Sequence, residues 1–257
     1  NTAIGSQALD ANSTGIKNTA VGSGALGANT TASNNTGVGF QALLSNTDGY
    51  RNTAVGMLAM QLNTSGFDNT PLGEQALGSN TTGDENTAIG RNALYANTTA
   101  NNNTAVGSDA LSANTTGTEN VAVGAFALDA SNADNNVAVG YNAMTQSTTA
   151  QRCVAVGREA GESLTTGSYN TLLGYTAGHE ITTGYRNVAI GEESAYFVTT
   201  GSLNVAVGNQ TLHLLTTGTE NTALGFRACY GGTAGARNVG IGCSALKAVS
   251  TGNNNVA

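Results

Sequence analysis

His179 and His213 are the only histidines in 257 residues, and Cys153, Cys229 and Cys243 the only cysteines. These side chains are the ones best suited to metal binding, nucleophilic attack or redox chemistry. The cysteines form no CxxC pair, and their odd number gives neither a disulfide framework nor a zinc signature. They read as small buried or half-buried fillers. The chain holds no GxSxG, HExxH or paired-carboxylate constellation, and no GK[ST] follows its glycine-rich strings. No catalytic residue, metal or cofactor is expected, and no enzyme. One chemical signal is left. Asn-x-Ser/Thr sequons recur at Asn12, Asn29, Asn63, Asn80, Asn97 and Asn114, and in a secreted protein they would lay down a glycan stripe.

What spaces all of these residues is an internal repeat. NTAVG or a close variant begins at Asn1, Asn18, Asn35, Asn52, Asn69, Asn86, Asn103 and Asn120. It continues at Asn136, Cys153, Asn170, Asn187, Asn204, Asn221 and Asn238, with a truncated copy at Asn255. Every interval is 17 residues except the 16 between Asn120 and Asn136. In this frame His179 and His213 share the tenth column, two coils apart. Stacked coils rise about 4.8 Å each, which puts them about 10 Å apart, too far to share a metal. The column reads as solvated.

Each column has a physical reading. Position four is always Val, Ile or Leu (Val21, Val38, Val55, Val106 and Val123 among them), which marks a short strand. Position five is Gly throughout, as at Gly5, Gly22, Gly39, Gly56, Gly73, Gly90 and Gly107. Such a column requires positive φ or a backbone approach too close for a Cβ. Position fifteen is looser, since Ala stands at Ala32, Ala100 and Ala150, so that corner is not expected to be left-handed. The Asn at position one is expected to form a stacked ladder that satisfies corner backbone groups of the next coil. Pro71 falls in a strand and should cost one ladder bond.

One regional change runs along the array. Position twelve is Asn in the first seven coils (Asn12 to Asn114), then turns mostly apolar at Leu164, Ile181, Val198, Leu215 and Val249. Where it first gains bulk, position nine loses it, from Leu94 and Leu111 to Gly161, Gly178 and Ala195. Positions nine and twelve are therefore expected to share one core volume. The domain reading is a single array over residues 1–257. Its Asn/Thr coils cover 1–119, the transition 120–152 and the apolar twelfth column 153–257, and the whole reads as an excerpt of a longer fibre. Position three is small and position eight is Ala in thirteen coils. These columns read as a subunit interface.

Short strands, glycine corners and the lack of any ten-residue amphipathic stretch give an all-β parallel solenoid, a β-roll of fifteen coils. Charged residues make up only 10% of the chain, too few for a helical bundle or coiled coil. No stretch is long and apolar enough to span a membrane. The net charge of −7 disfavours nucleic acid as a partner.

The segment TTGTENVAVGAFAL (Thr115 to Leu128), nearly repeated as TTGTENTAL (Thr216 to Leu224), resembles the head repeats of trimeric autotransporter adhesins, the YadA-like head. That family repeats GxxSVAIGxxSxA in a shorter coil, and Asn replaces its usual Ser here. The GxxN[TV]A[VI]GxxAL run is also similar to repeat arrays of phage tail-fibre proteins. The resemblance implies a left-handed roll that assembles as a homotrimer. It implies a rigid, non-enzymatic shaft or head for attachment, in an extracellular, cell-surface or virion-surface setting. Its partner would be a surface or a glycan held by many weak contacts. A phage-type fibre shaft is the first alternative. An ice-binding solenoid is the second, motivated by the Thr columns at positions thirteen and fourteen.

Overall fold

The structure, a computed structural model, describes residues 1–248 and 250–257. Val249, read above as a member of the apolar twelfth column, lies outside the described residues. Among the described residues there are fifteen strands and no helix. Each strand is three residues long and occupies positions two to four of its coil. The first unit, Asn1–Asn132, holds β1 (Thr2–Ile4), β2 (Thr19–Val21), β3 (Thr36–Val38), β4 (Thr53–Val55), β5 (Thr70–Leu72), β6 (Thr87–Ile89), β7 (Thr104–Val106) and β8 (Val121–Val123). The second, Ala133–Ala257, holds β9 (Val137–Val139), β10 (Val154–Val156), β11 (Thr171–Leu173), β12 (Val188–Ile190), β13 (Val205–Val207), β14 (Thr222–Leu224) and β15 (Val239–Ile241).

Within each unit, successive strands pair in parallel with a register of one repeat. Thr2 faces Thr19 and Ala20 faces Gly37 in the first unit, and Val154 faces Thr171 in the second. Each unit is thus a parallel β-solenoid. The inter-coil bonding continues through the corners: Leu26 N–H donates to Ala42 O at 2.9 Å, and Thr81 N–H to Thr98 O at 2.9 Å. Pairing of β4 with β5 is reduced to Val55 and Leu72, as Pro71 without an N–H requires.

The corners use left-handed backbone in two ways. Gly5 has φ +130°, and a Cβ there would lie 2.7 Å from the carbonyl of Gly22, so both reasons for a glycine column hold together. Positions seven, nine and seventeen are also left-handed, yet carry ordinary residues, as at Gln75 (φ 55°), Leu26 (φ 52°) and Glu85 (φ 58°). Each such residue is held against an intrinsic cost of roughly 1 kcal/mol by the inter-coil bonds around it. The glycines at position fifteen lack positive φ, consistent with the alanines that replace them.

The facing of the strands corrects one expectation. The small columns at positions three and eight are interior, not an outer interface. Ala20, Ala54, Ala88 and Ala105, and likewise Ala25, Ala42, Ala59 and Ala93, are fully buried within the single chain. A coil of 17 residues encloses a narrow interior, and along most of its length position three takes only Ala or Gly opposite the Leu of position nine. A Cβ on Gly37 would sit 3.3 Å from Leu26 Cγ. Successive strand residues point to opposite faces, so positions two and four turn outward.

Leu26, Leu43, Met60, Leu77, Leu94, Leu111 and Leu128 fill the core from position nine in the first unit. In the second, Leu164, Ile181, Val198 and Leu215 fill it from position twelve. A third column joins the exchange. Leu172, at position three, occupies the space left by two glycines: a Cβ on Gly161 or on Gly178 would meet a Leu172 methyl at 2.7 Å. The exchange among positions three, nine and twelve is partial: Leu212 at position nine is buried in the same coil as Leu215 at position twelve, while the coil before them holds only Ala189, Ala195 and Val198.

Candidate functional site

Three features distinguish the solenoid surface and seam: an internal asparagine ladder, an apolar outer column and a stack of rings. In the first unit, Asn35 N–H donates to Asn18 Oδ1 (2.9 Å), Asn52 N–H to Asn35 Oδ1 (2.9 Å) and Asn69 N–H to Asn52 Oδ1 (3.0 Å). The ladder continues through Asn86 and Asn103, whose N–H groups donate at 2.9 and 3.0 Å, and begins where Asn18 N–H meets Asn1 Oδ1 at 2.9 Å. Each side-chain amide also donates to a corner carbonyl: Asn35 to Gly49 O and Asn52 to Gly66 O, both at 2.8 Å. Cys153 takes the same place in the second unit. Its Sγ accepts from Asn170 N–H at 3.4 Å, a longer and weaker contact. Burial pushes the Cys153 thiol up, as it does that of Cys229, so neither is poised as a thiolate. Cys243 is exposed.

The twelfth-column asparagines form a second ladder. Asn63 donates to Asn46 Oδ1 (2.7 Å) and to Gly66 O (3.0 Å), and Asn80 donates to Asn63 Oδ1 (2.9 Å). Asn29, Asn63, Asn80, Asn97 and Asn114 are fully buried with their amide nitrogens engaged. This overturns the expected glycan stripe for those five sequons in the folded chain. Only Asn12, in the first coil, is half-exposed. The threonines divide in a similar way. Position thirteen hydroxyls bond the next coil, as Thr64 to Thr81 O (3.0 Å) and Thr165 to Thr182 O (3.0 Å). Position fourteen, as at Thr82 and Thr166, stays exposed. Sequence reasoning did not assign this corner role to the first threonine.

The outward fourth column is apolar without interruption in both units. Val21, Val38, Val55, Val106 and Val123 are half-buried, while Ile89, Val156 and Leu224 are exposed. The second column beside it is Thr or Val, so no charge interrupts either.

The tenth column in the second unit is where the histidines lie, and here the solvated reading fails. His179, Tyr196, His213 and Tyr230 stack in one pile, with centroid separations of 4.9, 5.5 and 5.1 Å. The coil rise matches ring-stacking distance, so one ring per coil suffices. Phe197 meets Tyr196 and His213 edge-on. His213 is only 9% exposed and His179 half-buried. The two tyrosines between and above the histidines are visible at the same spacing in the sequence and were the missed signal.

Carboxylates surround the base of the pile. His179 Nε2 lies 3.1 Å from Glu162 Oε2, and Nδ1 lies 2.9 Å from Glu180 Oε1. His213 Nδ1 is 3.2 Å from Glu193 O. Burial, followed by the charges of Glu180, Glu193 and Glu159, raises the Tyr196 hydroxyl above its ordinary value and keeps it protonated. No protein-family model matches this chain, and no curated protein matches it.

Proposed function

We propose that the chain is a non-enzymatic, rigid segment of a homotrimeric fibre that serves surface attachment outside the cell or on a virion. The observation that carries this reading is the unbroken apolar fourth column on an outward strand face. The small-residue columns satisfy one another inside each coil, so they need no partner. The valine column does: contiguous apolar surface of this kind on a soluble chain marks an association face. Copies meeting there would face uncharged Thr and Val columns, which removes like-charge repulsion from the contact. Three-fold closure is what the adhesin-like repeat implies. A stiff array with an exposed Thr in most coils then suits weak, repeated attachment, where avidity comes from repetition.

Light scattering on a sizing column tests the assembly. The expected mass is three times the 25.6 kDa chain, and Val55→Glu with Val106→Glu should reduce it to one chain with the β-sheet circular dichroism intact. A folded monomer in the unaltered protein would overturn the reading.

A further inference from the structure

We propose that Glu159, Glu162 and His179 form a binding site for a borderline divalent transition ion of the Zn2+ type. One donor atom from each of the three lies within 4.8 Å of the others, and all three residues are half-buried. Tetrahedral bonds of about 2.0–2.2 Å place donors about 3.4 Å apart, so the cluster needs to contract by up to about 1.4 Å, which glutamate rotamers allow. The mixed nitrogen and oxygen donor set suits Zn2+ and its neighbours better than Mg2+ or Ca2+.

The contacts of His179 point the same way. Both ring nitrogens face a carboxylate oxygen, at 2.9 and 3.1 Å. A neutral imidazole donates through one nitrogen only. The other contact then sets a lone pair against a carboxylate, and a cation between them resolves it. In the tautomer that carries the proton on Nδ1, Glu180 accepts from it and the Nε2 lone pair aims at Glu162. A carboxylate on the far ring nitrogen is the arrangement that orients and strengthens metal-bound histidine. Stacking on Tyr196 fixes the ring plane. Arg158 pairs with Glu159 at 2.8 Å, but its side chain is 56% exposed, and such surface pairs yield readily.

The full chain carrying Cys243→Ser, so that the exposed thiol takes no part, is stripped with chelator and titrated with ZnCl2 against a chromophoric competitor. One Zn2+ per chain is expected, undisturbed by excess Mg2+. His179→Gln and Glu162→Gln should each weaken it at least tenfold, and His213→Gln should leave it unchanged. Circular dichroism checks that each variant folds. If His179→Gln disturbs the ring pile, Glu162→Gln carries the test, because that substitution leaves every ring in place. No uptake at all would overturn the proposal, as would uptake undiminished in Glu162→Gln. In the former case, imidazolium nitrogen shifts of His179 at neutral pH would identify a proton as the cation between the carboxylates.

Discussion

Replacing Asn52 by Ala removes one rung of the inner ladder, and its cost can be worked from the partners left behind. Gly66 O loses a 2.8 Å bond but keeps Asn63 Nδ2 at 3.0 Å. Asn69 Nδ2 loses its 3.2 Å contact but keeps Gly83 O at 2.8 Å. Asn69 N–H loses its 3.0 Å acceptor and becomes an orphan inside a fully buried residue. An orphaned buried donor costs about 1–3 kcal/mol, and the two bonds whose partners are re-satisfied add roughly 0.5–1 kcal/mol each. The sum is about 3 kcal/mol. Solenoids unfold by neighbouring coils, so a global midpoint blurs a local loss. The sharper assay is amide hydrogen exchange. Asn69 N–H should lose protection by about a hundredfold, at about 1.4 kcal/mol per decade, while Thr82→Ala on the exposed column changes nothing nearby. If Asn69 protection in Asn52→Ala stayed within threefold of the unaltered chain, the ladder would not be holding the corner.

Three further perturbations follow from buried or half-buried groups. Cys153→Asn should stabilise the second unit by about 1–2 kcal/mol in urea titrations, because it converts a 3.4 Å sulfur contact to Asn170 N–H into an amide rung; a lower midpoint would contradict the geometry. Ser147 Oγ is buried without a partner, so Ser147→Ala should raise stability by about 1 kcal/mol, measured the same way. Burial alone would raise the Asp109 carboxyl, but hydrogen bonds from Ser108 and Asn92 and the charge of Arg91 lower it on balance. Its folded value is therefore below its unfolded one. The stability it contributes is present above about pH 4 and is lost as pH falls through the folded value, so Asp109→Asn should flatten the acid limb of the stability profile.

The period, the strand positions and the glycine corner were legible because each occupies one invariant column. The absence of positive φ at position fifteen was legible from three alanines. The direction of the strands was not. A strand reading Thr-Ala-Val presents a large apolar residue on one side and a small one on the other, and burial preference alone puts Val inside. The narrow coil reverses this, since its interior takes Ala20 and Ala54 beside Leu26 and Met60, which project inward from position nine. The left-handed residues at positions seven, nine and seventeen were hidden because Leu, Gln and Glu stand there instead of Gly. The buried state of Asn63 and its neighbours was hidden behind a sequon. The ring pile was missed because the same column holds Asp10, Gly27 and Gln61 earlier in the chain, with Tyr95 its one ring there, and only in the second unit do rings follow in successive coils.

The opposite facing of Ala105 and Val106 within β7 is the point on which the account turns. Single cysteines at either position test it in a chain otherwise free of thiols through Cys153→Asn, Cys229→Leu and Cys243→Ser. Treatment with a short bifunctional maleimide should join copies through Val106→Cys and leave Ala105→Cys unreacted until the chain is unfolded. Cross-linking through Ala105→Cys with none through Val106→Cys would return the alanine columns to the subunit interface and contradict the account.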